Sequence, residues 1–475
     1  MQIPFVGGAY LSRSLNLDAQ RCVNFYVALG ESGTAKAKLA LFGTPGLRFL
    51  ETAEGGGIRA EYPPTVGDAI VVCGYNVYRL DAAITLTLVG TIDSLNTPVS
   101  IADNGTTAIL VTGPAGWTLN LATNELTQIT DPAFLGATHV RYNKGRFVFN
   151  RPGTNQFYTT LAGEIAFDPL DFASAESNAE PIISPIINHE ELVLFKRTVT
   201  EVWRDVGAPD FPYSRDGNAS IEQGCAAAYS VAALDNTVYW LGADQNGHGI
   251  VWRLEGYTPR RVSSEGMEKA IQEYTDISDA VAYAYQQDGR TFYALNFPTG
   301  NNTWVYDAAM QLWHERQYLN PATGNFERHR ACCHMHWAGL HIVGDWENGN
   351  LYALDPNYYS DNGDPLVSLR SCAHVTDQDY KNIRIDSIQV DIEAGVGLES
   401  GQGSDPLMMM RWSKDGGHTW SPLRTMSMGE IGRYARRARL TRLGKARDWV
   451  FEISISDPVK RVVLGAAIDA KVLLR

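Results

Sequence analysis

The sequence predicts an all-β fold: a β-propeller of about seven blades, with six to eight compatible with the spacing, followed by a C-terminal β-sandwich. Three observations carry this. An apolar strand, a short turn and an aromatic strand recur along most of the chain at intervals near fifty residues, the length of one four-stranded blade. Beyond about residue 360 the repeat gives way to longer strands of alternating polarity. The 44 Gly and 21 Pro are dispersed rather than clustered, as in a chain of many short strands and turns.

Residues 1–60 lie outside the repeat. They hold apolar segments at Cys22–Val27 and Leu39–Phe42, a Thr44-Pro45-Gly46 turn and a further apolar run at Leu47–Leu50, before Gly55-Gly56-Gly57. These strands are expected either to close the propeller ring or to join the C-terminal domain.

Residues 61–360 read as the propeller. The aromatic strands align as Val77–Leu80, Trp117–Asn120, Phe157–Thr160, Val202–Asp205, Val251–Leu254, Trp304–Asp307 and Leu351–Leu354, at intervals of 40, 40, 45, 49, 53 and 47 residues. Each follows an apolar strand: Ala69–Val72, Ala108–Val111, Arg146–Phe149, Leu192–Phe195, Val238–Leu241, Thr291–Leu295 and Leu340–Val343. Most of the intervening turns carry Gly, Asn, Pro or Asp, which tolerate or pre-set turn dihedrals. The sixth unit, with Asn296–Glu315, is the clearest copy. The longest interval contains Ser263–Tyr274, a short amphipathic helix with Ser264 as its cap, Met267, Ala270 and Ile271 as its apolar stripe, and Glu268 and Gln272 facing outward.

Residues 361–475 read as the sandwich, with strands at Ile383–Ile392, Leu407–Trp412, Ala438–Leu443, Trp449–Ser456 and Val462–Asp469. Trp449, Phe451, Ile453 and Ile455 alternate with Val450, Glu452, Ser454 and Ser456, the pattern of a half-buried strand.

Composition narrows the function. The net charge is −13. Residues 366–475 carry 17 Lys+Arg against 13 Asp+Glu, net +4, and the rest carries 23 against 40, net −17. So acidic a body argues against general affinity for nucleic acid, because phosphates are held by cations. The first ten residues lack the charge and apolar run of a Sec-type signal, and no stretch approaches the length of a membrane helix. Six cysteines in so long a chain read as reduced thiols.

No motif makes a strong case for catalysis. Ser413, Asp415, Gly417, Thr419 and Trp420 form an Asp-box pattern, in which Asp415 receives turn N–H groups, Gly417 allows the reversal and Trp420 packs beneath. Those jobs are structural. The pattern and the abundant aromatics support one alternative, a glycan-binding or sialidase-like glycan-cleaving propeller. Cys332-Cys333-His334-Met335-His336, with His329 and His341 nearby, resembles a metal set only superficially, since side chains two apart on a strand run parallel. No catalytic residue, metal or cofactor is expected.

The most unusual local chemistry is the run from Arg433 to Arg447. It carries Arg433, Arg436, Arg437, Arg439, Arg442, Lys445 and Arg447 with no acidic residue. On the predicted strand, Arg437 and Arg439 share one face and Arg442 takes the other. Clustered Arg supplies bidentate donors for carboxylates or phosphates, so the segment is expected to dock an acidic partner subunit, the bland reading being a solvated face.

Cys22–Tyr26 with Leu41–Leu47, Gly224–Ser263, Asp279–Glu315, Asp415–Trp420 and Ser456–Asp469 resemble the tail hub, or nozzle, proteins of short-tailed phages, also called packaged-DNA stabilization proteins. The resemblance implies a virion protein assembled in the host cytoplasm. Six copies would form a tube below the portal and its adaptor ring, retain packaged DNA, support a needle or plug and fibres or spikes, and conduct DNA at ejection without binding it specifically.

Overall fold

The computed structural model describes residues 1–473 apart from 31, 33, 209, 210 and 245. Seven four-stranded antiparallel blades are present among the described residues. Blades one to five span Ile58–Thr91, Ser100–Gln128, Val140–Ser174, Ser184–Ile221 and Ala232–Arg261. Blade six is Val281–Gln287, Arg290–Phe297, Asn302–Asp307 and Leu312–Glu315. The strands marked by the sequence repeat are the second and third of each blade. They are apolar nearly throughout: Ala69–Cys73 and Asn76–Leu80 are buried at every position. A blade is stacked between two others, so both faces of its middle strands are covered and the usual alternation disappears.

Blade seven contains three consecutive strands, Ala331–Trp337, Leu340–Asp345 and Asn350–Asp355. Its fourth is Gly46–Thr52, paired antiparallel with Asn350–Asp355 from Gly46↔Asp355 to Thr52↔Asn350. A strand from the beginning of the chain thus closes the ring.

The C-terminal region forms two sheets. One runs Ala438–Ala446, Ile383–Ile392, Val462–Val472, Leu39–Gly43, Phe25–Leu29, with Gln2–Ile3 also on Val462–Val472. The other grows out of blade six: Leu312–Glu315 pairs with Cys22–Val23, which pairs with Ser368–Ser371, then Asp448–Ile455, Leu407–Ser413 and Arg424–Ser427. Ile388, Val390, Met408, Met410, Phe451, Ile453 and Ile468 belong to one buried cluster with Phe25 and Leu41. Early strands therefore serve both the ring and the sandwich, and the outermost strand of blade six continues into the sandwich.

Two expectations are corrected. Asp448–Ile455 is buried on both faces rather than half-buried. It lies inside its sheet, and Glu452 on the polar face is 5% exposed, accepting from Ser371 Oγ (2.8 Å) and Arg411 Nε (2.5 Å). The helix forms at Glu265–Gln272 with Ser264 as N-cap, its Oγ accepting from Met267 N (3.3 Å), but Glu268 does not face outward. It is buried, and its carboxylate accepts from Arg261 Nε (2.6 Å) and Ser263 Oγ (2.5 Å). Helical spacing cannot register a cation arriving from the preceding strand.

Candidate functional site

The basic run lies where the sandwich has a free edge. Among the described residues Ala438–Ala446 pairs only with Ile383–Ile392, and no strand pairs with its other edge. All seven cations, Arg433, Arg436, Arg437, Arg439, Arg442, Lys445 and Arg447, are exposed. Arg433 lies 4.0 Å from Glu430, and Arg439 Nη2 donates to Ser387 Oγ (2.8 Å). The other five have no ion-pair partner among the described residues. Ala438 and Leu443 anchor the strand inward. Between them the register shifts opposite Ile385 and Ser387, and Arg442 takes φ 63°. This bulge breaks the alternation that would have turned Arg442 toward the core side, so it is exposed with the others. Tyr434 (77% exposed) and Ile431 (58%) stand beside Arg433. Arg next to a large exposed aromatic is the composition of a protein-binding hot spot.

The Asp-box is a tight turn. Ser413 Oγ accepts from Gly417 N (2.8 Å) and donates to Asp415 Oδ1 (2.6 Å), and Asp415 accepts from Thr419 N (2.8 Å) and Thr419 Oγ1 (2.6 Å). Those bonds, Ser413's first, hold the Asp415 carboxyl down to about 2. Gly417 takes φ +98°, which few other residues adopt. Trp420 is half-buried, with the Arg411 guanidinium 4.6 Å from its ring centroid. The side-chain oxygens of Ser413, Asp415 and Thr419 are spent on the turn itself.

The His and Cys cluster makes its contacts within itself and with neighbouring strands, with Cys332, Cys333 and His334 also lining a funnel on the propeller axis. His334 Nε2 lies 3.1 Å from His341 Nδ1, and burial pushes the His334 pKa down to about 3. The Sγ atoms of Cys332 and Cys333 are 3.8 Å apart, with Cys332 Sγ also 3.2 Å from the Ile58 carbonyl. Among the described residues no three His, Cys, Asp or Glu side chains are placed to hold a metal.

On the propeller axis the inner strands surround a funnel of about 740 Å3 that includes Arg59, Glu61, Arg141, Tyr229 and Tyr283. Sequence reasoning passed over these residues. The one signal was charge within short first strands, Arg59 and Glu61 in Ile58–Tyr62 and Arg141 in Val140–Asn143.

Residues 1–359 match the family described as "Bacteriophage P22 Gp10, beta-propeller", and residues 370–471 match "Bacteriophage P22 Gp10, beta-sandwich". The chain belongs to the P22 Gp10 family. It is a structural phage tail protein, located in the virion tail, and the family assignment gives no support to a glycan-cleaving reading. No curated protein matches the sequence. Solved structures similar to it include the WD40 β-propeller domain of Doa1 (11% identity, 65% of this chain and 96% of that one, TM-score 0.41). The computationally designed Ika8 protein (11%, 71% and 100%, 0.37) and the β-propeller domain of Myceliophteria thermophila Cps50 (Swd1) (9%, 65% and 98%, 0.43) are also similar. Likenesses this shallow carry no functional information. No helix among the described residues is long and apolar enough to cross a membrane.

Proposed function

We propose that this P22 Gp10-family protein forms the tail nozzle as a ring of six copies below the portal and adaptor ring, retaining packaged DNA and conducting it during ejection. The observation that carries the reading is the match of both the propeller and the sandwich to the two parts of one phage tail protein. The physical properties fit such a wall. A closed ring of blades is a stiff element with loops free for neighbours. The acidic body, net −17 over residues 1–365, would repel the DNA backbone, so the duplex slides without specific binding.

In this reading residues 1–60 act as a clasp, residues 61–360 as the rigid propeller and residues 361–475 as the assembly module. Arg433, Arg436, Arg437, Arg439, Arg442, Lys445 and Arg447 face the adaptor ring or a neighbouring subunit, and needle and fibres attach elsewhere on the tube. Electron microscopy of purified particles tests it. Six copies beneath the portal with an acidic lumen are expected. Absence of the chain from particles, or a lumen lined by Lys and Arg, would overturn it.

A further inference from the structure

The axial funnel is lined by Arg59, Arg141 and Arg328 together with Glu61 and Asp279, inside an acidic body. Arg141, on the inner strand of blade three, donates through Nη1 to Ser100 Oγ (3.0 Å) and to the Val140 carbonyl (2.8 Å). Its other nitrogens have no hydrogen-bond partner, and no carboxylate lies within ion-pair distance of it among the described residues. Arg59 is held by the carbonyls of Thr97 (2.8 Å), Gly74 (2.8 Å) and Asp93 (2.9 Å), and its charge is paired with the Asp93 carboxylate (Nη2–Oδ1 3.4 Å). The Tyr229 hydroxyl lies close enough to sense both guanidiniums, and its ring stacks on His139 with centroids 4.9 Å apart.

On the same funnel wall, Glu61 does not supply the counter-charge. Both its carboxyl oxygens are buried with no hydrogen-bond partner within ordinary distance among the described residues, and desolvation raises its pKa well above the usual carboxylate range, disfavouring its charged form. The Tyr283 hydroxyl is also buried without a partner. Buried polar groups are normally satisfied, so two such groups lining the same funnel as the unpaired nitrogens of Arg141 mark a place shaped for something polar. The volume of about 740 Å3 is that of a small-molecule site, far too narrow for duplex DNA.

We propose that the funnel binds a small organic oxyanion, a carboxylate or phosphate monoester, with its anionic end on Arg141 and its body toward Glu61 and Tyr283. Arg141 provides the charge-assisted donors, and Glu61 and Tyr283 orient the hydroxyls of the ligand. This binding is independent of assembly into a tail and stands or falls separately from it.

Isothermal titration calorimetry of the purified full chain with inorganic phosphate, glucose 6-phosphate, glucuronate and neutral glucose tests the site. At least one anion is expected to bind one per chain and glucose not to bind. The phosphate and glucuronate arms show which head group is preferred. Arg141→Gln is expected to weaken binding at least ten-fold while circular dichroism and the melting temperature stay near wild type. Should that variant not fold, Arg141→Lys decides, since it keeps the charge but loses the planar fork and is expected to weaken binding several-fold. No saturable binding of any of the three anions up to about 10 mM, or binding unchanged in the folded Arg141 variant, overturns the proposal.

Discussion

Asn24 and Gln317 exchange two hydrogen bonds, Asn24 Nδ2 to the Gln317 carbonyl (2.8 Å) and Gln317 N to Asn24 Oδ1 (3.0 Å). Asn24 Nδ2 also donates to the Val367 carbonyl (2.8 Å), and its own carbonyl accepts from Ser368 Oγ (3.0 Å). One fully buried residue, at φ 51°, thus ties the N-terminal segment, the exit of blade six and the first sandwich strand. Asn is among the few side chains that tolerate that backbone while bonding like a peptide group. Asn24→Ala deletes three bonds and strands their buried partners, and should destabilise the protein by about 2–4 kcal/mol. Chemical denaturation measures the loss, and hydrogen exchange should show faster opening at Ser368–Ser371. An unchanged midpoint would refute the rivet.

How far the sequence reaches follows from residues like these. The hairpins were legible because each carries its own apolar strand and turn within twenty residues, and stacking needs no further information. Gly46–Thr52 was legible as a strand but its partner was not, since Asn350–Asp355 lies some 300 residues away and pairing leaves no mark on either segment. The basic run was visible because charge is read directly, while the bulge that exposes Arg442 is a property of pairing with Ile383–Ile392. Arg141 and Glu61 escaped notice altogether. Arg141 is the one charge in its strand and Glu61 shares its strand with Arg59, and only ring closure brings them to one axis.

Ring closure makes a second prediction. A Cβ on Gly46 would sit 2.3 Å from the Tyr358 carbonyl oxygen and 2.5 Å from that of Ser360. Backbone on both sides cannot yield as a side chain can. Gly46→Ala should therefore push the closing strand off blade seven, destabilising by about 1–3 kcal/mol and exposing Leu340–Asp355 to limited proteolysis. Cleavage at the wild-type rate would show that the ring is closed by other contacts.

Acid should weaken the fold through buried neutral histidines. Burial pushes the pKa values of His139, His314 and His334 down to about 3, and lowers that of His329 as well. The unfolded chain binds protons at these sites below about pH 6.5 and the folded chain does not, so stability is full above that pH and falls toward pH 3. Each contributes a slope of about 1.4 kcal/mol per pH unit in that window. His374 runs the other way. Its bond to Asp448 (2.7 Å) raises its pKa, so its contribution is full below about pH 6.5 and is lost as pH rises through the folded value. Denaturation midpoints from pH 7 to 5 should fall for wild type and fall less steeply for His314→Gln. An identical slope in the variant would mean that His314 is protonated in the fold.

The basic edge gives the decisive test of assembly. Arg436, Arg437 and Arg439 are exposed, and among the described residues only the Arg439 side chain has a hydrogen-bond partner, Ser387. Exposed, largely unpaired charges contribute little to folding, so replacing all three with Glu should leave the melting temperature within a few degrees of wild type. The same change swings the surface by six charges. An interface matched to an acidic partner would then face like charge, which costs several kcal/mol and slows encounter. Incubation of purified variant with particles lacking this protein should give no incorporation, whereas wild type incorporates with a rate that falls as salt rises. Raising salt should not rescue the variant, because screening removes the repulsion without restoring the bidentate bonds. Incorporation of the variant at the wild-type level would remove Arg436, Arg437 and Arg439 from the docking surface.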